Sequence, residues 1–269
     1  MFVFLFLWIL FSPAKISDSN QLRSYFIIWN VGQGQWTTFS NLDNCYHFDL
    51  GGEFFPLKKL RKKCYLKNNH LYISHWDSDH MSALRFLKKW PQVCREEDPI
   101  GTAKESKQNL LNEFGLCKKV KDQVRKNITD LVGGKNQISD KNDTNFLRIE
   151  KIFPLGIEES SLPDISNAKS KVYLVNNWLV SGDSRAEEEI LWAHRLTKKS
   201  VKGFVIGHHG SKTSNSEYLV SRLPALKWAI ASSRWRRYKH PHPSVINNFK
   251  KYNKRVLRTE DWGNFFFEL

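Results

Sequence analysis

The sequence predicts a mixed α/β fold of the α+β type, in which two β-sheets pack face to face and helices cover their outer faces. Strand-like apolar runs occur in both halves of the chain, and segments of helical periodicity lie between them. The 269 residues contain no obvious linker, which favours one domain. Hydrophobic residues make up 41% of the chain, which is enough for a packed core.

The N-terminus predicts an export signal that is separate from this fold. Residues 2–11 are all apolar, but this run is too short to span a bilayer, which needs about 20 residues. The small residues Ser12 and Ala14 that follow resemble a signal cleavage site. We therefore expect a signal peptide over residues 1–14, a periplasmic or extracellular location, and no stable membrane span.

The four cysteines are consistent with an exported protein. An even number of cysteines permits two disulfides in three possible pairings. We expect Cys94–Cys117 to close the irregular segment that contains both residues, and Cys45–Cys64 to be the second pair. In a cytoplasmic protein the same four residues would be reduced thiols.

Glycine turns separate the first predicted elements. Gly32 and Gly34 form one turn, and the pair Gly51-Gly52 permits a tight turn and a close approach of the backbone to a site. The elements of this part are strands at Tyr25–Val31, Trp36–Phe39 and Cys45–Leu50 and a basic helix at Lys58–Lys63.

The residues after the next strand predict a metal site. Leu71–Ser74 is a short buried strand that leads directly into His75, Asp77, Asp79 and His80, and helical periodicity resumes afterwards. Side chains just beyond a rigid strand end can be held accurately. Imidazole and carboxylate groups at this density suit one or two divalent ions. The alternative is a polar loop whose side chains only cap the following helix.

Two later strand ends carry further potential ligands. A predicted hairpin ends at Asp183, and a buried strand at Val201–Ile206 ends at His208 and His209. Between the first and second groups we expect an irregular insert at about residues 91–145 with one helix at Lys104–Phe114. The remaining elements are strands at Phe146–Phe153, Lys171–Val175, Trp178–Ser181, Trp228–Ser232, Arg255–Thr259 and Asn264–Leu269, and helices at Arg185–Leu196, Asn215–Leu223 and Ser244–Tyr252.

Charge favours a phosphate-rich partner. The formal net charge is +15, which disfavours a cationic ligand. The segment Arg234–His240 interleaves basic and aromatic residues, a composition that can follow a nucleic-acid backbone and stack bases. A basic surface that is merely solvated would have the same composition. The candidate substrate-binding residues of this segment are Arg234, Arg236, Arg237 and His240.

The motifs at these strand ends resemble a known family. They occur in the order found in the metallo-β-lactamase-like domain of the ComEC competence proteins, and the resemblance covers about residues 24–269. It implies the metallo-β-lactamase αββα sandwich and hydrolysis of a phosphodiester by metal-activated water. The motifs are Gly32-Gln-Gly34, Asp49-x-Gly-Gly52, Ser74-His-x-Asp-x-Asp-His80, Ser181-Gly-Asp183, Gly207-His-His-Gly-Ser-Lys-Thr-Ser214 and His240-Pro-His-Pro243.

The resemblance also implies roles for individual residues around two divalent ions, Mn²⁺ or Zn²⁺. His75 and Asp77 match ligands of the first ion, and Asp79 and His80 match ligands of the second. Asp183 matches the carboxylate between the ions. The resemblance further implies that His209, or else His208, is the last ligand with the second imidazole facing substrate, that Asp49 supports the ligands from behind, and that His242 is a substrate-side imidazole; the alternative for His242 is that it braces a turn. Position in the sequence adds two candidates. Asp79 is close enough to orient the attacking water, and Ser211, Lys212 and Thr213 are phosphate contacts in the turn after His209 or merely turn formers.

The sequence departs from the family pattern at several positions. Asp77 stands where many members have His, which makes the ligand set harder and favours Mn²⁺ at least as much as Zn²⁺. The middle His of the superfamily, expected before Asp183, is replaced by the stretch Asn167–Ser170. Asn30 and Gln35 stand where Asp is usual. The membrane-spanning portion of a competence channel has no counterpart in the sequence.

These observations predict an exported, metal-dependent hydrolase that acts on DNA phosphodiesters, that is, a nuclease with DNA or another phosphate-rich polymer as substrate. One alternative is a hydrolase of another ester, such as a cell-wall phosphorylcholine ester, or of a β-lactam. The other alternative is a non-catalytic nucleic-acid-binding relative.

Overall fold

Two six-stranded sheets form the core of the protein in the computed structural model, which describes residues 23–118 and 147–269. The expected signal peptide over residues 1–14 lies outside the described residues. The first sheet has the order β12-β1-β2-β3-β4-β5 and the second has the order β11-β10-β9-β8-β7-β6. The strands are β1 (Tyr25–Ile28), β2 (Trp36–Ser40), β3 (Asn44–Leu50), β4 (Asn68–Tyr72), β5 (Val93–Glu97), β6 (Ile149–Phe153), β7 (Val172–Val175), β8 (Trp178–Val180), β9 (Gly203–Val205), β10 (Trp228–Ala231), β11 (Val256–Arg258) and β12 (Phe265–Glu268).

The alternation of side chains along the strands produces three apolar layers. Phe26 and Ile28 face the second sheet and pack in a cluster with Val180 and Ile230, whereas Ile27 points to the opposite face of β1. Helices cover both outer faces, so the predicted αββα sandwich is confirmed. The helices are α1 (Leu57–Cys64), α2 (Ser78–Met81), α3 (Leu84–Leu87), α4 (Glu105–Asn112), α5 (Ala186–Trp192), α6 (Glu217–Ser221), α7 (Trp235–Tyr238), α8 (Pro243–Lys251) and α9 (Thr259–Trp262), with 3-10 turns at Glu159–Ser161, Ser166–Lys169, Ala193–Leu196 and Gly207–Gly210.

Parallel strand pairs determine where the polar side chains gather. β3 pairs in parallel with β4, and β8 pairs in parallel with β9, so the carboxyl ends of each pair lie at one edge of their sheet. The backbone N–H of Lys171 donates to the carbonyl of Ser74 at 3.0 Å, which brings the two edges together. In residues 23–118 and 147–269 no helix has the length and hydropathy needed to cross a membrane.

The predicted irregular insert is partly regular, which corrects the expectation for residues 91–118. Val93–Glu97 forms the edge strand β5, paired in parallel with β4, and the predicted helix is present as α4. The side chain of Glu97 accepts hydrogen bonds from Lys151 at 2.9 Å and from the hydroxyl of Tyr173 at 2.6 Å. These partners come from the second sheet, so the local sequence gave no sign of the strand. Residues 119–145 of the insert lie outside the described residues.

Two disulfides join the four cysteines in the predicted pairing. Cys45 is bonded to Cys64 and Cys94 to Cys117, with sequence separations of 19 and 23 residues. The first bond attaches the end of α1 to β3, and the second joins β5 to the residues after α4. Loops of this length correspond to about 3 kcal/mol of stabilisation for each bond in the chain-entropy model.

We expect no free thiol in protein recovered from its native compartment, because both pairs are bonded in the folded chain. The measurement is maleimide labelling under denaturing, non-reducing conditions, with a reduced sample as the control that should label four times. Four labels without reduction would contradict the disulfides. That result would also weaken export, which remains a proposal from the sequence.

Candidate metal centre

Side chains from four strand ends meet at the edge where the two sheets come together. Asp49 lies at the end of β3, and Asp183 follows β8. His75 to His80 follow β4, while His208 and His209 follow β9. His75, His80, Asp183 and His209 are all at least 98% buried. The edge therefore holds the polar groups that the sequence predicted to be close together.

One group of atoms lies on the Oδ2 side of the Asp183 carboxylate. Asp183 Oδ2 is 3.8 Å from His75 Nε2 and 3.6 Å from His208 Nε2. His75 Nε2 is in turn 3.5 Å from Asp77 Oδ2. These four side chains form the first candidate ligand set.

A second group lies on the Oδ1 side of the same carboxylate. Asp183 Oδ1 is 3.0 Å from His80 Nε2 and 3.9 Å from His209 Nε2. His209 Nε2 is 3.1 Å from Asp79 Oδ2. Asp79, His80, His209 and Asp183 form the second candidate ligand set, and Asp183 is common to both sets.

Several buried atoms in these sets are without hydrogen-bond partners among the described residues. His75 Nε2, His80 Nε2 and Asp183 Oδ1 are all in this condition, since the 3.0 Å approach between the last two does not have hydrogen-bond geometry. Buried polar atoms rarely remain unpaired in folded proteins, because an unmade hydrogen bond costs free energy. Imidazole nitrogens and carboxylate oxygens are also the usual ligands of divalent metals. The clusters are therefore compatible with divalent metal binding.

Asp49 lies behind the histidines and orients two of them. Its Oδ2 accepts hydrogen bonds from Nδ1 of His80 and from the hydroxyl of Ser74, each at 2.8 Å, and its Oδ1 accepts from the backbone N–H of Ser74 at 2.7 Å. The Ser74 hydroxyl lies 2.9 Å from Nδ1 of His75. Because the Nδ1 atoms are engaged, the Nε2 atoms of His75 and His80 face the cluster.

A strained turn aims His208 and His209 at opposite sides of Asp183. Both residues have left-handed backbone angles, with φ of 48° and 55°. Such angles are uncommon for non-glycine residues and are concentrated at functional sites. Nδ1 of His209 donates to the carbonyl of Ser232 at 3.1 Å, and Nδ1 of His208 lies 3.2 Å from the hydroxyl of Thr213. The sequence left open whether His208 or His209 is the last ligand. In the structure both imidazoles face Asp183.

Asn167 lies beside the first candidate set, next to the place where the missing middle His was expected. Its Nδ2 is 3.2 Å from Nε2 of His208. The imidazole of His208, with Nε2 3.6 Å from Asp183 Oδ2, is the second imidazole of the first candidate set. The absence of that His does not leave the set without a second imidazole.

Gly51 permits the backbone of the ligand loop to pass close to β3. A Cβ atom at this position would lie 2.3 Å from both the carbonyl carbon and the carbonyl oxygen of Asp79. Gln35 adds to this contact, because its backbone N–H donates to the same carbonyl at 3.0 Å and its side-chain amide donates to Asp49 at 2.8 Å. The replacement of the usual Asp by Gln35 therefore leaves the early turn attached to the site.

The buried carboxylates and imidazoles of the site shift each other's pKa values. Burial alone would raise the pKa of Asp183, but the imidazoles of His80 and His209 hold it well below its usual range. Burial alone would lower the pKa of His80, but the carboxylates of Asp183 and Asp49 raise it well above the usual value. Burial alone would raise the pKa of Asp79, but the hydrogen bond from His209 together with the charges of His80 and His209 lowers it. The acids are thus ionised at neutral pH.

The predicted phosphate contacts after His209 have two different environments. The hydroxyl groups of Ser211 and Thr213 lie 3.0 Å apart, and Thr213 also contacts His208, so these residues shape the turn and orient an imidazole. Lys212 is exposed. Its contact with a phosphate stays a prediction.

The arginines of the segment Arg234–His240 differ in their partners. Glu53 accepts hydrogen bonds from Arg234 at 3.1 Å and from Arg237 at 2.8 Å, so a carboxylate partly neutralises these two. Arg236 is exposed and pairs with no carboxylate of the described residues. The interaction of Glu53 with residues more than 180 positions away was not visible in the sequence.

His240 and His242, both predicted to lie near the substrate, have different surroundings in the structure. His240 Nδ1 lies 3.1 Å from the amide nitrogen of Gln33, and burial together with the charges of His209 and His208 lowers its pKa to about 4. In contrast, Nδ1 of His242 accepts from the backbone N–H of Ser244 and caps α8. The turn-bracing alternative therefore describes the His242 contacts, and His240 is the neutral imidazole beside the candidate ligands.

The αββα sandwich with ligand sets at the shared sheet edge defines the class of the protein as a metallo-β-lactamase fold. No protein-family model matches the chain. The solved metallo-beta-lactamase fold protein YhfI from Bacillus subtilis aligns with 91% of this chain and 100% of that chain, at 12% identity and a TM-score of 0.45. The assignment of the fold depends on the sheet order and not on this likeness.

Three known proteins are similar to this chain in sequence, and they confirm its resemblance to ComEC-type domains. Recombination protein 2 of Haemophilus influenzae is 41% identical over 108 residues, which are 37% of this chain and 14% of that protein. ComE operon protein 3 of Bacillus subtilis is 28% identical over 200 residues, which are 72% and 24%. Competence protein ComA of Neisseria gonorrhoeae is 34% identical over 94 residues, which are 34% and 13%. The chain matches at most about a quarter of the length of these relatives.

Proposed function

We propose that the protein is a two-metal phosphodiesterase that hydrolyses DNA. The observation that best supports this proposal is the pair of candidate ligand sets that share Asp183, with buried nitrogen and oxygen atoms that lack partners among the described residues. Two divalent ions, Mn²⁺ or Zn²⁺, would be held by His75, Asp77, His208 and Asp183 on one side and by Asp79, His80, His209 and Asp183 on the other.

When bound, divalent ions supply a hydroxide nucleophile at neutral pH and neutralise charge on the phosphoryl oxygens. The residues of this chain hold the reacting groups in place. Asp79 is 39% exposed at its side chain, so its free carboxylate oxygen is able to accept a hydrogen bond from the attacking water. The neutral His240 and the exposed cations Lys212 and Arg236 are suited to contact the substrate phosphate and its neighbours.

The substrate class is inferred from charge and from the relatives. A net charge of +15 favours a polyanion, and the name of one relative refers to competence and that of another to recombination. A β-lactam or a neutral ester has no comparable attraction to this surface. DNA is therefore the substrate that we propose.

Digestion assays test this function. Plasmid DNA, single-stranded DNA and a small chromogenic phosphodiester should each be incubated with Mn²⁺, Mg²⁺ and Zn²⁺ side by side. We expect Mn²⁺ or Zn²⁺ to support cleavage of DNA, and EDTA to abolish it. Cleavage of a phosphorylcholine ester or a β-lactam in place of DNA would show that this compound, and not DNA, is the substrate. DNA binding without any hydrolysis would indicate the non-catalytic alternative.

A further inference from the structure

Helix α1 presents a row of cations that the proposed active site does not use. Five of its eight residues are basic and none is acidic in its first turn. Leu60 and Cys64 face the core, and the disulfide from Cys64 to Cys45 fixes the orientation of the helix. None of the five cations pairs with a carboxylate within the described part of the chain. They are Lys58, Lys59, Arg61, Lys62 and Lys63.

Two neighbouring grooves run beside these cations and contain aromatic rings. One groove of about 440 Å³ lies between Lys59, Lys62 and Phe266, and another of about 500 Å³ lies between Lys58, Lys59 and Phe54. Lys59 borders both grooves, so they are adjacent. Phe266 is 48% exposed and Phe54 is 49% exposed, so about half of each residue is accessible beside the ammonium groups.

A chain of side-chain contacts connects the groove at Phe54 to the residues around the candidate metal centre. The guanidinium of Arg234 lies over the ring of Phe54 at 5.2 Å, and Glu53 links Arg234 to the backbone of Gln33. The side chain of Gln33 contacts His240, which lies beside the ligand sets. We call the surface formed by Phe54, Phe266 and the five cations of α1 the cationic track.

We propose that the cationic track binds single-stranded nucleic acid several nucleotides away from the metal centre. Cations that follow a groove contact the phosphates, and exposed aromatic rings stack on unpaired bases, which a duplex does not offer. An anionic membrane surface would also attract the lysines, but it gives no role to rings set within grooves between charges. The idea that the bound nucleic acid leads toward the metals rests on the proposed function, whereas its binding to the cationic track does not.

The test is the affinity of the full chain for a fluorescein-labelled 30-nucleotide oligo(dT) in EDTA, followed by fluorescence anisotropy at several salt concentrations. Lys59→Ala combined with Lys62→Ala should weaken binding about 10-fold and reduce the log–log salt slope by about 1.4, that is, about 0.7 for each lost phosphate contact. The matched control is Lys202→Ala combined with Lys227→Ala, two exposed lysines that precede β9 and β10 and so lie at the opposite edge of the second sheet. The control should bind as the unaltered protein does.

Phe266→Ala and Phe54→Ala separate base stacking from charge. Each should weaken oligo(dT) binding by about 5-fold or more and leave the binding of inorganic polyphosphate unchanged, because polyphosphate has no bases. Circular dichroism and the absence of free thiols check that each variant is folded. Equal losses on both ligands would mean that the rings only support the local structure, and this would overturn the stacking role.

Two further results would contradict the track. Unchanged oligo(dT) affinity in the lysine variant would exclude it, and a selective loss of sedimentation with phosphatidylserine vesicles would assign the lysines to a membrane surface. Hydrolysis of the small chromogenic phosphodiester with Mn²⁺, which should be unaffected by the lysine changes, reports on the metal centre separately. A protein that binds oligo(dT) through the track but hydrolyses no phosphodiester would refute the proposed function and leave the track intact.

Discussion

Asp183→Ala is expected to abolish phosphodiester hydrolysis and to remove bound metal. The carboxylate of Asp183 lies between the two candidate ligand sets, with Oδ1 3.0 Å from His80 and Oδ2 3.8 Å from His75. Its loss therefore disturbs both positions. We expect the rate to fall by at least about 10³-fold, because metal ions supply several kcal/mol of transition-state stabilisation. Turnover of the small chromogenic phosphodiester and metal content by mass spectrometry are the measurements.

Two further variants define what this result means. Asp43→Ala removes an exposed carboxylate in the turn between β2 and β3 and should leave both rate and metal content unchanged. Asp183→Asn keeps the volume of the side chain and should lose metal as well, because the amide lacks the negative charge. Full activity of Asp183→Ala in a folded protein would show that the catalytic site lies elsewhere.

Asp49→Asn is expected to weaken metal affinity by about 10- to 100-fold, the usual effect of removing a group that orients a metal ligand. Asp49 accepts from Nδ1 of His80 and, through Ser74, orients His75. Asparagine tolerates the left-handed backbone at this residue, where φ is 56°. The change therefore acts on the charge and the hydrogen bonds rather than on the backbone. Competition with a chelator of known affinity measures the effect.

Gln35→Ala is the comparison for Asp49→Asn. It removes one donor to Asp49 but keeps the contact from Asp49 to His80. We expect a smaller loss of affinity for this variant. Equal losses in the two variants would mean that Asp49 acts through general packing, and no loss in Asp49→Asn would contradict its supporting role.

The positions of the strand ends were predictable because two local patterns coincide. Apolar alternation marks strands such as β3, in which Tyr46, Phe48 and Leu50 alternate with polar residues. Polar residues at His75, Asp183 and His209 follow shortly after apolar runs. Parallel neighbours place such residues at one edge without further information. The cysteine pairing was also predicted, since the two cysteines of the insert lie close together in the sequence.

Features that depend on distant partners were not predictable. β5 has no regular alternation, and it is held by β4 on one side and by Lys151 and Tyr173 of the second sheet. The left-handed turn at His208 and His209, which lets both imidazoles face Asp183, depends on Ser232 and Thr213. Neither tertiary contact leaves a periodic signal in the sequence.

The number of metal ions bound by the unaltered chain tests the central claim most directly. The measurement is native mass spectrometry, with inductively coupled plasma mass spectrometry for the identity of the metal, after reconstitution with Mn²⁺ or Zn²⁺ and removal of loose ions. The two candidate ligand sets around Asp183 predict two ions for each chain. A folded protein with intact disulfides that retains no ion, or only one, would contradict the two-metal site.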